Sequence, residues 1–375
     1  MLAATVPSLM TYLAAVPDFR QARGKRHALT AILALACVAM LCGARSETAI
    51  AEWATNYGSV WRRRLGFTHG NGPSQATIHR IFKGLDHDAL EQCVSAWAQQ
   101  VLGSTPNSDP GLLEAIAVDG KTLRGSVKAG ASDGHLLSAL SQRLGVVLAQ
   151  VAVADKTNEI GAFDAVLADL ALDGALVTMD ALLTQRRVAR TILDRGGNYL
   201  MVVKENQPAT LAAIELLFAD PHAPTSTASS LDLHGDRIEQ RSLRASHELV
   251  GYLDWPGLAQ VLCLERRVTH KRSTVVRRES AYAVTSRRPE QASPAQLLVA
   301  WRAHWHIENK LHYVRDVTFD EDRSQVRSGH IPQVMATLRN TAISLLRVGQ
   351  QPNIAAACRR YAAQPALALA AVGLP

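Results

Sequence analysis

A chain of 375 residues, 47% of them apolar and with few low-complexity tracts, is long enough to bury two or three cores and is expected to fold rather than remain disordered. Its 40 Lys and Arg against 33 Asp and Glu leave a formal charge of +7, which favours a polyanionic partner because cations facing phosphates release condensed counterions. The five cysteines, Cys37, Cys42, Cys93, Cys263 and Cys358, form no CxxC pair, which argues against a disulfide framework or a cysteine zinc site and for a reducing, cytoplasmic setting.

Residues 28–44, ALTAILALACVAMLCGA, follow the basic GKRH of residues 24–27. A basic flank before an apolar run suits a signal peptide or a membrane span, but the run is short for a bilayer and rich in alanine. A buried helix is the better reading, with no membrane involved. Helical spacing continues over residues 47–57, 74–82 and 89–102, the second opening on Pro73-Ser74 as helices do. We expect residues 1–105 to form a small helical domain, which suits DNA binding or a plain bundle, with a Ser/Pro/Asn linker over 103–111.

Beyond the linker the pattern shortens. Apolar runs at 112–120, 135–142 and 146–156 predict three strands in a meander; a helix over 159–172, a strand at 175–180, a helix at 184–194 and a strand at 198–204 follow. This is an α+β fold with an α/β core, in an order that suits a ribonuclease H-like mixed sheet. Residues 205–294 are polar and strand-rich, with strands expected at 237–246, 261–270 and 273–286, and they predict a β-rich insertion. A long helix over 294–313 and another over 332–348 complete a second domain at 112–348, and 349–375 is an Ala-rich tail.

Asp119 closes the run AIAVDG and Asp180 closes ALVTMD. An acid at the carboxyl end of a buried strand sits where open α/β sheets place ligands, and two on adjacent strands can hold a divalent cation such as Mg²⁺. Taken singly, each is more readily a turn or helix-cap residue, and it is the coincidence of two that favours a site. His304, Glu308 and His312 are spaced to share one helix face, so Glu308 can complete a three-carboxylate, two-metal site for phosphoryl transfer. Zinc held by the two histidines and Glu308 is the alternative.

Five ordered segments, AVDGKTLRGS (117–126), KTNEI (156–160), GALVTMDALLTQ (174–185), YLMVVKENQ (199–207) and HWHIENKLHYVRDVTFDED (304–322), resemble the successive motifs of DDE-type insertion-sequence transposases, specifically the H-repeat-associated branch. FRQARGKRHAL, LCGARS and PSQATIHRIF resemble that branch's associated N-terminal domain. The resemblance implies a ribonuclease H-like catalytic domain with a β insertion before the Glu, a triad of Asp119, Asp180 and Glu308, and two Mg²⁺ or Mn²⁺ ions. It also implies DNA as partner, both as terminal inverted repeats and as target, and a homodimer on DNA would suit the pairing of two element ends. Related transposases carry Tyr, Arg, Glu and Lys spaced around the third acid; this chain has Trp301, His304, Glu308 and Arg315 there. Arg315 can replace Lys as a phosphate clamp, while His304 is a weaker substitute for Arg whose charge Arg302 can supply.

Lys121 and Arg124 read as cations beside the site that could hold DNA phosphates, or as solvated surface. The GKT at 120–122 lacks the first glycine of a phosphate loop. Thr184, Gln185, Asn206 and Gln207 face DNA or cap local structure, and the arginine clusters 62–64, 266–267 and 277–278 could track a duplex or stay exposed. The expected activity is phosphodiester cleavage at element ends and joining of the freed 3′-hydroxyl to target DNA. A relic that grips DNA without cutting it, and a simple metal-dependent nuclease, are the competing readings.

Overall fold

A computed structural model describes residues 7–69, 71–107, 109, 111–128, 130, 134–153, 159–271 and 276–374. The first helices are α1 (Leu9–Leu13), α2 (Leu29–Leu41), α3 (Glu47–Asn56), α4 (Gly58–Arg64), α5 (Gln75–Gly84) and α6 (His87–Ser104). There follow β1 (Ala115–Thr122), α7 (Arg124–Lys128), β2 (His135–Ser141), β3 (Val147–Val153), α8 (Glu159–Leu167), β4 (Leu176–Met179), α9 (Arg186–Asp194), β5 (Asn198–Val203) and α10 (Pro208–Ala219). Four long strands come next, β6 (Ser226–His234), β7 (Arg237–Ser246), β8 (Gln260–His270) and β9 (Val276–Thr285). The chain ends in α11 (Pro294–His304), a π turn (Ile307–His312), α12 (Tyr313–Val317), α13 (Ile331–Val348), α14 (Ile354–Ala363) and α15 (Pro365–Val372). The KTNEI segment lies largely outside the described residues.

The chain divides into two compact units, Met1–Pro106 with Gly120–Leu170 and Ile307–Pro375, and Asn107–Asp119 with Ala171–His306. In the first, α2 is apolar all round because it is enclosed all round: every residue from Ile32 to Leu41 has no exposed surface, and α1, α3, α13, α14 and α15 pack against it. Thirteen residues reach only about 20 Å, short of a bilayer core, and among the described residues no helix is long and apolar enough to cross a membrane. Side-chain caps start the neighbouring helices: Ser46 accepts from Ala49, Ser74 from Thr77 and Asp86 from Ala89. The tail is helical because α14 and α15 bury Ile354, Cys358, Leu369 and Val372.

The strands run in the order β3-β2-β1-β4-β5-β9-β8-β7-β6. The first three form the expected meander, with β2 and β3 antiparallel, and β4 and β5 extend it parallel to β1. This mixed sheet, preceded and followed by helices, is the fold class expected from the sequence. The insertion forms an antiparallel meander, joined to β5 through β9, which sets Leu200 opposite Thr285. On one of its faces α11 packs Leu297, Leu298 and Trp301 against Leu243, Leu262 and Ala283. Two elements of this region, β6 and α10, carry no clear signal in the sequence. The β6 run STASSLDLH is a polar edge strand whose two leucines face solvent, so the alternation that marks a half-buried strand is missing.

Candidate active site

Strand register sets the two aspartates on neighbouring strands. Val118 of β1 is the partner of Met179 of β4, so Asp119 and Asp180 follow on neighbouring parallel strands, whose backbones run about 4.8 Å apart. β1 continues as strand to Thr122, so Asp119 is half-buried within it, while β4 ends at Met179 and leaves Asp180 exposed in a turn. Asp180 Oδ1 accepts from the backbone N–H of Leu182 at 3.0 Å and of Leu183 at 3.5 Å. One oxygen thus builds the turn that the capping alternative anticipated, and the two readings are compatible.

The turn is tied to the end of β5. The Thr184 hydroxyl lies 2.6 Å from the carbonyl of Val202 and 3.0 Å from that of Asp180, Asn206 Nδ2 donates to Ala181 O and Gln207 Nε2 donates to Thr184 O. Thr184, Asn206 and Gln207 therefore fix the backbone beneath Asp180. His304, at the end of α11, has Nδ1 3.0 Å from the hydroxyl of Thr178, a buried residue of β4 two positions before Asp180. Arg302 donates to Asp232 at 2.7 Å and to Ser230 at 3.2 Å, both on β6.

In the other unit, Glu308 lies in the π turn, with Oε2 3.1 Å from Nδ1 of His312. The hydrogen bond from His312, followed by the charges of His312, Lys121 and Arg124, holds the Glu308 carboxyl below its usual range. Burial keeps the His312 imidazole below its usual value. The continuous helix expected over 294–313 is interrupted. The α-helix stops at His304, Trp305 turns, and the wider π winding carries Glu308 and His312. A π turn closes i to i+5 bonds, so the regular face required by a His304–Glu308–His312 zinc set is absent.

Lys121 donates to both oxygens of Asp316 at 2.7 Å and is almost wholly buried. On β1 it lies two residues after Asp119, and alternation puts the two on the same face of that strand. The GKT segment is part of β1 rather than a phosphate loop. Arg124 opens α7 with 72% of its side chain exposed, 3.8 Å from Asp322. That approach depends on Gly125, where a Cβ would sit 2.2 Å from the carbonyl oxygen of Ser324.

Arg315, expected as a phosphate clamp, has no exposed surface. It donates to Glu321 at 2.8 Å and to Gln150 at 3.1 Å, while Arg339 donates to the other oxygen of Glu321 at 2.8 Å. Burial raises the Glu321 carboxyl, but the two guanidiniums outweigh it and lower it to about 2. Arg315 is therefore part of an internal ion-pair network, and no duplex can reach it in this structure. Neither Gln150 nor Glu321 was legible as its partner, although the acidic run DED at 320–322 was the available signal for the latter.

The mixed sheet, with Asp119 and Asp180 following paired residues of adjacent parallel strands, defines a protein of mixed α/β class, and comparison with known proteins narrows it. Residues 10–98 match the family model described as DDE_Tnp_1-associated and residues 110–345 match the one described as Transposase DDE domain. The chain belongs to the DDE transposase family. It is 32% identical over 355 residues to "Putative transposase YncI" of Escherichia coli O157:H7, covering 92% of this chain and 88% of that protein. It is 28% identical to "H repeat-associated putative transposase YhhI" of Escherichia coli strain K12, covering 90% of each. Among solved structures, a piggyBac transposase synaptic complex with hairpin DNA aligns with a TM-score of 0.42 and 9% identity over 98% of this chain and 80% of that one, a likeness too loose to support an inference.

Proposed function

We propose that this protein is an active DNA transposase that cleaves phosphodiester bonds at the ends of its insertion sequence and joins the freed 3′-hydroxyl to target DNA. The observation that carries the reading is Asp119 and Asp180 following paired residues on adjacent parallel strands, within a chain of the DDE family. Glu308 is the third acid of the catalytic triad by its motif. Its charge is sustained by His312 and Lys121, and Lys121 shares a strand face with Asp119.

Three carboxylates with no thiol among them suit hard divalent cations, and Asp119, Asp180 and Glu308 would hold two Mg²⁺ or Mn²⁺ ions. Such ions supply Lewis acidity at the attacking and leaving oxygens. The chain's own contribution is orientation. The hydrogen-bonded turn fixes one Asp180 oxygen and leaves the carboxylate directed by Thr184 and Asn206 beneath it. Exposed Arg124 binds a neighbouring DNA phosphate, and His304 supports β4 through Thr178 instead of contacting DNA.

Residues 1–105 are assigned to recognition of the terminal inverted repeats, with Ser74 starting the amphipathic α5 and Arg62 to Arg64 on α4 adding charge. Residues 112–348 form the catalytic domain, its insertion spanning about 205–294, and two copies pair the element ends in the cytoplasm, on the nucleoid.

The test is incubation of the purified chain, with Mg²⁺ or Mn²⁺, and a labelled duplex bearing the inverted repeat that flanks its own gene. Cleaved and joined products that disappear with EDTA and in Asp119→Ala, Asp180→Ala and Glu308→Ala are expected. Binding without cleavage in either metal points to a relic, and nicking without joined products to a simple nuclease.

A further inference from the structure

The β insertion has two faces that differ in charge pairing. On the face toward α11 most charges are mutually engaged: Arg266 pairs with Glu239 and, at 2.8 Å, with Glu279, and Arg241 pairs with Asp232 at 2.7 Å, while Arg277 lies exposed toward one end. On the other face α10 covers only one end, where Arg244 lies over the Phe218 ring and pairs with Glu265 at 3.1 Å. Among the described residues the remainder is uncovered, and there Arg267 of β8 and Arg278 of β9 are direct register partners. Both are exposed, and neither has an ion pair among the described residues.

Like charges placed directly opposite in a ladder are destabilising, so this pair opposes folding unless an anion joins it. The same face carries Leu231 and Leu233 of the edge strand β6, each 64% exposed, at its rim. A second copy of the chain is disfavoured as the occupant, because a two-fold contact through this patch would bring the arginine pairs of both copies together.

We propose that the open face of the insertion is a DNA-docking surface, in which Arg267 and Arg278 jointly grip the phosphodiester backbone. The inference rests on the transposase reading and deepens it by assigning a contact away from the triad. Arginine suits the task because its planar fork engages phosphate oxygens in pairs.

Binding of the full chain to a labelled duplex in metal-free buffer, measured by fluorescence anisotropy across a salt series, tests it. Each phosphate contact contributes about 0.9 to the slope of log K against log salt, so Arg267→Ala/Arg278→Ala is expected to flatten the slope by about 1.8. Arg278→Glu is the sharper variant: it turns the repelling pair into an attracting one, so its melting temperature holds or rises while its DNA binding weakens. An unchanged slope in both variants, with wild type binding normally, overturns this surface and leaves the transposase reading standing. A wild-type dimer that dissociates in Arg278→Glu during sedimentation, with DNA binding intact, overturns it in favour of a second copy. A wild-type chain that binds no duplex removes both readings.

Discussion

The aspartates that follow paired residues of β1 and β4 and the buried charges of Arg315, Glu321 and Arg339 are held in contrasting ways. Asp119 and Asp180 owe their positions to backbone: a parallel register places them on neighbouring strands, and a turn using the N–H groups of Leu182 and Leu183 holds one carboxylate in place. Arg315, Glu321 and Arg339 hold one another, in a cluster with almost no exposed surface. Groups of the first kind can change partners without altering the fold, which a binding or catalytic group requires. Groups of the second kind cannot, because separating them leaves an uncompensated charge inside the protein.

The largest effect that tests this contrast is at Asp180. In Asp180→Asn the amide oxygen still accepts from Leu182, so the turn persists while a charged ligand is lost. Cleavage of the labelled duplex is expected to fall by about a thousandfold or more, with a melting curve close to wild type. A large drop in melting temperature would show that Asp180 is structural and would erase the distinction between the two regions.

Next comes Glu321→Gln. The variant leaves Arg315 and Arg339 buried without a counter-charge, and a loss of about 3 kcal/mol in urea unfolding at pH 7 is expected. Because the native carboxyl is lowered to about 2 from 4.5, its stabilisation is present above the unfolded value and is lost as pH falls through about 2. The curves of the variant and the wild type therefore converge in acid. A stability at pH 7 equal to wild type would mean that water compensates the arginines and that the cluster is not closed.

The same contrast explains what could be read in advance. The strands β1 to β5 and their succession were legible because apolar runs of strand length, punctuated by Gly-bearing turns, are local signals, and Asp119 and Asp180 close the apolar parts of two of those runs. The fate of Arg315 was not legible, because its partners Gln150 and Glu321 are set by packing of β3 and the 321–323 turn rather than by neighbouring residues. His304 was expected to share a helix face with Glu308. The π turn after Trp305 removes that regularity, and nothing in the local spacing of WHIENKLH marks where α winding gives way. The role of α2 could be read from its short length, although its complete enclosure depends on α13 to α15, some of them in a tail whose composition suggested no element.

The smallest expected effect concerns Glu91, a residue on α6 within the same unit as the arginine cluster but, among the described residues, paired to no cation in an ion bridge. The Thr337 hydroxyl lies 2.6 Å from its carboxylate, and burial, outweighing that hydrogen bond and the charge of Arg315, raises its carboxyl to about 7. The native state therefore keeps a proton on Glu91 between about 4.5 and 7 that the unfolded chain has released. Stability attributable to this group is full below the unfolded value and declines as pH rises through that window. Glu91→Gln, which cannot ionise and still accepts from Thr337, removes the decline. Melting curves from pH 5 to 8 are expected to fall more steeply for wild type than for the variant, by about 2 kcal/mol in all, or several degrees for a chain of this size. Parallel curves would show that Glu91 is solvated well enough to ionise as in water, placing it with the backbone-held acids of the first region instead of the enclosed charges of the second.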